Sequence, residues 1–303
     1  MKKIFKLMTA LTLAASVVSF YSCSKPDDEG DKDKDKEENV DPNPKPDDGK
    51  DEPDPQPGGD DNTLSFKSID FDQDDLATWV VWDNKIALDN GFTYVLWVMP
   101  YTLNGQQRIG NIADVADEGQ SCINMLRFGE RAQTYNELQW MCGGNSRVQV
   151  YAANWTTYKW TQLALVCDGT NLKMYLDGEL AGEDAFSTPI KTEFGAIEFA
   201  NSWGKSYRGN FHGSICQISV YDTALSADEL SGAKLNGLTE ALKGKAKAWW
   251  PMQEGEGHVC KDEIGSRNID FSNTIRNDND GSTQHYAFDA SSLISWIDNT
   301  EEI

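Results

Sequence analysis

The chain has 303 residues and a net charge of −22, and half of that charge lies in a short stretch near the N-terminus. Residues 26–62 hold 16 Asp and Glu, 5 Lys and seven of the ten Pro, whereas all ten Trp follow residue 78. Such an acidic chain excludes nucleic-acid binding through a basic patch and fits an anionic membrane surface poorly. Residues 63–303 suffice for one large all-β domain or two small ones.

Residues 1–22 are typical of a secretory signal. A basic start, MKKIFK, precedes an apolar run over residues 7–21 that is too short for a stable membrane span. The run ends in FYSC, which resembles the lipobox of bacterial lipoproteins, with Phe20 in place of the commoner Leu. The resemblance implies cleavage before Cys23 and acylation of its thiol by palmitate-type chains, which anchor a protein firmly. An ordinary signal peptide with a chance Cys is the alternative.

The segment that follows, residues 23–62, is predicted to be a tether. Its start, SKPDDE, resembles the export signal of surface lipoproteins in some Gram-negative bacteria, which implies a lipid anchor in the outer membrane with the protein facing the exterior. Residues 26–62 have too little apolar surface to offset the entropy of ordering. Fully extended, this segment spans roughly 120 Å at ~3.3 Å per residue.

Short apolar runs after residue 62 predict β-strands. Phe92 to Met99 is apolar on both faces, as in a central strand. Tyr158 to Asp168 is a similar run, and Asp177-Gly178 predicts a hairpin turn. Alternation over Glu193 to Ala200 and the run Phe211 to Tyr221 predict two more strands, and together the pattern favours a sandwich or jelly roll.

One helix is predicted, from about Ala227 to Leu235. Ser226 and Glu229 have the spacing of a capping box. Leu225 and Leu230 flank this box and can pack together across the first turn.

Two segments resemble a known family. WTQLALVCDGTNLKMYLDGELAG (160–182) and FHGSICQISVYDTALSADEL (211–230) look like the laminin-G-like, concanavalin A-like superfamily of bacterial surface proteins. The matching positions are Trp160, Asp168, Gly169, Tyr175, Asp177, Gly178, Gly213, Ile215, Ile218, Val220, Tyr221, Ala224, Leu225, Ser226, Glu229 and Leu230. The resemblance covers about residues 63–237 and implies an all-β, concanavalin A-like jelly-roll β-sandwich over 63–240.

The C-terminal segment resembles the start of a further such domain. WWPMQEGEG (249–257), with Asp262 and Gly265, looks like a first strand. The residues that remain are too few for a second sandwich. Residues 241–303 are therefore predicted to be a small β-rich appendage packed on the main domain.

Aromatic residues outside the strands are the candidate carbohydrate-binding groups, because flat rings stack on the C–H faces of sugars. Trp203, Tyr207 and Arg208 lie in one Gly-containing segment. Trp79 and Trp82 precede the first long strand, and Trp155 follows Tyr151 between two strands. Packing in the core is the alternative for each of them.

Catalytic and metal motifs are weak by comparison. Glu193 and Glu198 are the best carboxylate pair, but their odd spacing points them to opposite faces of a strand unless a bulge intervenes. The three His lie in no triad motif, and no Cys/His spacing suits zinc. Calcium is left open, with oxygen donors among Asp72, Asp74, Asp75, Asp114 and Asp117.

Five cysteines remain if Cys23 is acylated, which leaves at least one free thiol. Cys122 and Cys142 could bridge neighbouring strands, but buried free thiols are preferred. Disulfide bonding and a buried free thiol are likewise the alternatives for Cys167, Cys216 and Cys260.

The sequence thus predicts a surface-anchored, non-catalytic, lectin-like lipoprotein that captures or adheres to glycans, with a polysaccharide and the membrane as partners. A structural or protein-interaction module of a surface complex is the first alternative. A glycoside hydrolase is the second.

Overall fold

Antiparallel strands in two layers enclose one hydrophobic core in the computed structural model. The structure describes residues 63–71, 78–88, 91–103, 107–109, 111–113, 124–128, 137–142, 148–152, 155–185, 193–199, 211–277 and 285–302. Cys23 and the tether lie outside these ranges. The compact unit runs from Gly59 to Ile303.

The strands follow one another closely along the chain. The first thirteen are β1 (Thr63–Asp70), β2 (Thr78–Ala87), β3 (Phe92–Pro100), β4 (Gln107–Ile109), β5 (Asn111–Ala113), β6 (Asn124–Phe128), β7 (Leu138–Cys142), β8 (Val148–Ala152), β9 (Thr161–Cys167), β10 (Asn171–Leu176), β11 (Glu179–Ala185), β12 (Glu193–Phe199) and β13 (Gly213–Tyr221). The others are β14 (Ala233–Lys234), β15 (Gly237–Leu238), β16 (Ala248–Trp250), β17 (Val259–Cys260), β18 (Ile269–Asp270), β19 (Thr274–Asn277), β20 (His285–Phe288) and β21 (Ser295–Glu302). Helices are α1 (Ala227–Leu230), α2 (Glu240–Lys243) and a 3-10 turn at Ser291–Leu293.

Three sheets build the sandwich. The large sheet has the order β11-β10-β9-β3-β13-β1-β21, with β16 also paired to β13. The second sheet has the order β20-β19-β2-β12-β5, and a four-stranded sheet has the order β4-β6-β7-β8. All pairings are antiparallel. The predicted jelly-roll β-sandwich is confirmed.

Aromatic rings join the layers across the core. Phe92 of the large sheet meets Trp140 of the four-stranded sheet edge to face, with ring centroids 6.3 Å apart. Trp250 of β16 stacks on Trp82 of the second sheet at 5.4 Å. Because each such ring removes a large apolar surface from water, these contacts hold the sheets face to face.

The outer face of the large sheet carries its own apolar cover. Val95 and Val166 lie on this face and pack against residues 225–246, including Leu230 and Leu242. Helix α1 has the predicted capping box at Ser226 but ends at Leu230, five residues earlier than expected. The chain turns there because the amide of Gly232 donates to the carbonyl of Glu229. No helix within the described ranges is long and apolar enough to span a membrane.

The C-terminal residues are β-rich, as predicted, but they are built into both main sheets. Strand β21 pairs with all eight residues of β1, and β19 and β20 extend the second sheet from β2. Trp250, Ile269 and Phe271 are fully buried in the common core. The described residues after 240 therefore contribute strands to the same sheets, and side chains to the same core, as the residues before them.

The motif that resembled a first strand ties this segment to the rest of the sandwich. The side-chain amide of Gln253 bonds both backbone groups of Lys67 on β1, at 2.7 and 2.8 Å. The carboxylate of Asp262 accepts hydrogen bonds from the backbone amides of Trp249, Ile264 and Arg267 at 3.0 to 3.1 Å. These residues serve the fold, because they satisfy backbone groups at a turn.

Candidate functional site

The most exposed large aromatic side chain in the described part of the chain lies at one end of the large sheet. Tyr158 is 71% exposed. Its ring stacks on Tyr101, with centroids 5.4 Å apart and planes 11° apart. One ring face thus rests on Tyr101, and the other is open to solvent.

Hydrogen bonds fix both tyrosines to the ends of neighbouring strands. The amide of Tyr158 donates to the carbonyl of Pro100, the last residue of β3, at 2.8 Å. The amide of Tyr101 donates to the carbonyl of His212 at 2.8 Å, and its hydroxyl lies 2.7 Å from Oγ of Ser214. The exposed ring is therefore presented by a rigid base.

Tyr158 adopts the left-handed backbone conformation, with φ of 56°. This region is costly for a bulky residue and persists only where the surroundings fix it. Trp155 and Trp160 fix it here, since each is 6% exposed. Trp155 packs edge-on against Phe128 at 5.1 Å. Two buried indoles thus hold the loop while the tyrosine between them faces solvent.

A polar pocket of about 340 Å³ lies beside this loop, and we call it the Lys159 pocket. Its lining residues are Trp155, Thr156, Lys159, Thr161, Leu176, Asp177 and Glu179. Volumes of about 300–1,000 Å³ are usual for small-molecule sites. The pocket presents hydroxyl, ammonium and carboxylate groups, and the loop that carries Tyr158 contributes Trp155, Thr156 and Lys159 to its lining.

Asp177 is held in place within this pocket. Its Oδ1 accepts a hydrogen bond from the amide of Gln162 at 2.8 Å, and its Oδ2 lies 3.3 Å from Nζ of Lys159. The backbone turn at Asp177-Gly178 has φ of 50° and 81°, which is the conformation of the predicted two-residue hairpin. The pocket wall is therefore ordered before any ligand binds.

Comparison with known proteins identifies the fold family. The family model described as the concanavalin A-like lectin/glucanases superfamily matches residues 73–231. This chain belongs to that superfamily. No curated protein sequence matches the chain.

Solved structures share the superfamily fold at low sequence identity. One is a Bacteroides ovatus protein provisionally described as carbohydrate binding (18% identity, TM-score 0.51), and the match covers 67% of this chain and 56% of that one. Another is a heptameric SAP-like pentraxin from Limulus polyphemus (14% identity, TM-score 0.48), and the match covers 77% of this chain and 94% of that one. A third is the CBM40 of a Ruminococcus gnavus sialidase bound to α2,3-sialyllactose (15% identity, TM-score 0.40), and the match covers 55% of this chain and 96% of that one.

Two predicted stacking residues lie in the core of this concanavalin A-like fold. Trp82 is 9% exposed, stacks on Trp250, and donates its Nε1 hydrogen to the carbonyl of Asn268 at 2.8 Å. Trp155 is 6% exposed, so its face is covered as well, although it contributes to the wall of the Lys159 pocket. Neither offers an open ring face, because Trp250 stacks on Trp82 and Phe128 packs against Trp155.

Trp79 is partly buried on β2, where it pairs in register with Glu198 and Ile275. Trp203, Tyr207 and Arg208 lie outside the described residues, so their role stays a prediction. Tyr101 and Tyr158 were not predicted. The only signal for them was the cluster of aromatic residues between strands that drew attention to Trp155.

The carboxylate pair on β12 occupies two different environments. Glu193 is exposed and its Oε2 lies 3.3 Å from Nζ of Lys85, whereas Glu198 is 1% exposed. The register shifts between Phe194 and Ala196, so the strand does contain an irregularity. Neither glutamate lines the Lys159 pocket.

The described residues include some of the cysteines but none of the candidate calcium ligands. The five aspartates considered for calcium lie outside the described ranges, and within those ranges no three His, Cys, Asp or Glu side chains cluster as metal ligands. Cys167, Cys216 and Cys260 are buried free thiols, as preferred from the sequence. Burial raises the pKa of each thiol. Cys122 and the side chain of Cys142 lie outside the description.

Proposed function

We propose that this chain is a non-catalytic, lectin-like protein that binds carbohydrate at Tyr158 and the Lys159 pocket. The observation that carries the proposal is the open face of Tyr158, 71% exposed and backed by Tyr101. A sugar ring stacks its C–H face on such an aromatic surface, and nearby polar groups hydrogen-bond its hydroxyls. Lys159, Asp177 and Thr156 supply donors and acceptors in the pocket that borders the same loop.

The comparisons support this class of ligand without naming one. The family description includes lectins, and the Bacteroides ovatus protein of similar fold is provisionally described as carbohydrate binding. Fold similarity alone does not transfer a site. The proposal therefore depends on the chemistry of the tyrosine platform in this chain.

Surface anchoring is a second part of the proposal. Acylation of Cys23 would attach the chain to the outer membrane, and the acidic residues 23–62 would hold the sandwich away from the membrane, facing the exterior, for glycan capture or adhesion. Metabolic labelling with palmitate tests the anchor. We expect label in the wild type and none in Cys23→Ala, and label retained by the variant contradicts acylation at this residue.

A glycan array tests carbohydrate binding. We expect a defined set of polysaccharides to bind the wild type and not Tyr158→Gly, because glycine adopts the left-handed backbone freely and removes only the ring. Leu180→Ala is the matched control, since Leu180 is 52% exposed but lies outside the pocket. Trp203→Ala and Tyr207→Ala test the residues predicted from sequence.

The array also separates the alternatives. Absence of binding to every glycan favours a structural or protein-interaction module. Release of reducing sugar from a bound polysaccharide favours a glycoside hydrolase, and Glu193→Gln and Glu198→Gln then show whether the β12 carboxylates take part.

A further inference from the structure

A second cavity is lined by the same Asp177-Gly178 turn, and we call it the Trp97 groove. It has a volume of about 390 Å³ and is lined by Trp97, Gln162, Asp177, Gly178, Ser231, Ala233, Lys234 and Leu235. Asp177 lines both this groove and the Lys159 pocket. The two cavities therefore meet at one hairpin turn.

The floor of the Trp97 groove combines an indole with an unsatisfied polar group. Trp97 and Gln162 are paired residues on β3 and β9, and Nε1 of Trp97 donates to the carbonyl of Ala233 at 3.0 Å. Gln162 is 4% exposed. Its Nε2 donates to the carbonyls of Leu230 and Ala233 at 3.0 and 2.7 Å, which fixes the orientation of its amide.

Oε1 of Gln162 accepts no hydrogen bond from the described part of the chain. Buried polar atoms are nearly always paired, so this acceptor is suited to a donor from a ligand. The oxygen is buried in the unliganded chain, so a bond to it requires a side chain that lines the groove to move. A sugar hydroxyl is a donor of suitable size and polarity.

The turn between the cavities leaves room for a ligand to cross. Gly178 has φ of 81°, and a Cβ placed there would have no heavy atom within 4 Å. Gln162 lies four positions after Tyr158, so their Cα atoms are at most about 13 Å apart at ~3.3 Å per residue. The platform and the groove are thus within reach of one short oligosaccharide.

The charges of the combined surface indicate the chemical class of that oligosaccharide. Lys159 and Lys234 oppose Asp177 and Glu179 across the two cavities, so the lining has no net charge. Residues 63–303 hold 33 Asp and Glu against 18 Lys and Arg, a net charge of −15, and this charge repels polyanions. A neutral glycan fits this environment, whereas a sulfated or uronic acid polymer does not.

We propose that the Lys159 pocket and the Trp97 groove are two subsites of one extended site that binds a neutral oligosaccharide across the Asp177-Gly178 turn. This inference rests on the proposed carbohydrate-binding function. It adds the groove, the polarity of the ligand and the requirement for more than one sugar unit.

Isothermal titration with neutral oligosaccharides of one to six units, in the cello-, malto-, laminari-, xylo- and manno- series, tests the inference. We expect affinity in at least one series to rise about tenfold or more with length and then level off. Gly178→Asn places a side chain in the crossing, and Asn tolerates the left-handed conformation. It should remove the gain with length and leave the affinity of the shortest binding member within about twofold.

Gly169→Asn is the matched control. Gly169 has φ of 91° and equally open surroundings, but it lies at the other end of β10, in the turn that joins β9 to β10. Equal melting temperatures for the two variants show that any difference in binding is local. Lys234→Ala gives a second test, because it changes the groove alone and should weaken only the longer members.

The outcomes separate the inference from the function on which it rests. If Tyr158→Gly abolishes binding but Gly178→Asn and Lys234→Ala behave as Gly169→Asn does, carbohydrate binding stands and the extended site is wrong. Tighter binding of polygalacturonate or heparin than of every neutral series overturns the neutral ligand class. If no glycan binds, or Tyr158→Gly is silent, both proposals fail.

Discussion

Phe271 tests whether the C-terminal residues belong to the main sandwich. This side chain is fully buried in the common core, and its ring lies 5.7 Å from that of Phe199 on β12. Its backbone forms two hydrogen bonds, since its amide donates to the carbonyl of His258 and its carbonyl accepts from the amide of Ala290. Phe271→Ala therefore removes a ring from a core shared with residues 63–240.

The expected loss can be worked out from this burial. Replacing a buried Phe by Ala costs about 3–5 kcal/mol, because the transfer energy is lost and a cavity remains. For a domain of this size, each kcal/mol lowers the melting temperature by roughly 2–4 °C. We expect a single unfolding transition that moves down by about 6–20 °C.

Thermal unfolding followed by near-UV circular dichroism measures this shift. Ile264→Ala is the control, because Ile264 lies in the same segment but is 37% exposed, and it should change the melting temperature by only a few degrees. Two transitions, with the larger one unmoved in Phe271→Ala, would contradict a core shared by both segments. That result would mean that residues 241–303 unfold as a separate appendage.

Two further predictions concern acid stability and a structural carboxylate. Hydrogen bonds from Lys245 hold the pKa of Glu229 at about 2, so its stabilising effect is complete above about pH 4.5 and is lost as the pH falls through about 2. Glu229→Gln should reduce the fall in melting temperature between pH 5 and 2, and an unchanged fall contradicts the assignment. Asp262→Ala leaves three backbone donors unpaired and should cost at least about 3 kcal/mol, since bonds to charged groups contribute about 1.5–3 each. Denaturant unfolding measures this, and a loss no larger than that of the exposed Glu263→Ala would contradict it.

The local pattern was enough to predict most strands of the large sheet. Phe92 to Met99 is β3 almost residue for residue, because a strand buried on both faces needs continuous apolar side chains. The turn at Asp177-Gly178 also follows from local chemistry, since few residues accept positive φ. Helix α1 begins as predicted for the same reason, because its capping box is a local signal.

Pairing between distant segments could not be predicted in the same way. Strand β21 pairs with β1 across more than 220 residues, and nothing in SWIDNTEE names its partner. Trp82 and Tyr158 show the same limit for the site. Trp82 lies within β2 and Tyr158 lies in a loop, and only the assembled layers bury one under Trp250 and leave the other exposed.

The affinity of Tyr158→Gly for a carbohydrate found on the array decides whether the exposed tyrosine is the binding platform. Isothermal titration of the wild type, this variant and Leu180→Ala with the same oligosaccharide compares the three under one condition. We expect an affinity at least tenfold weaker for Tyr158→Gly, which corresponds to about 1.4 kcal/mol, and no change for Leu180→Ala. Equal affinities for the wild type and Tyr158→Gly would contradict this expectation.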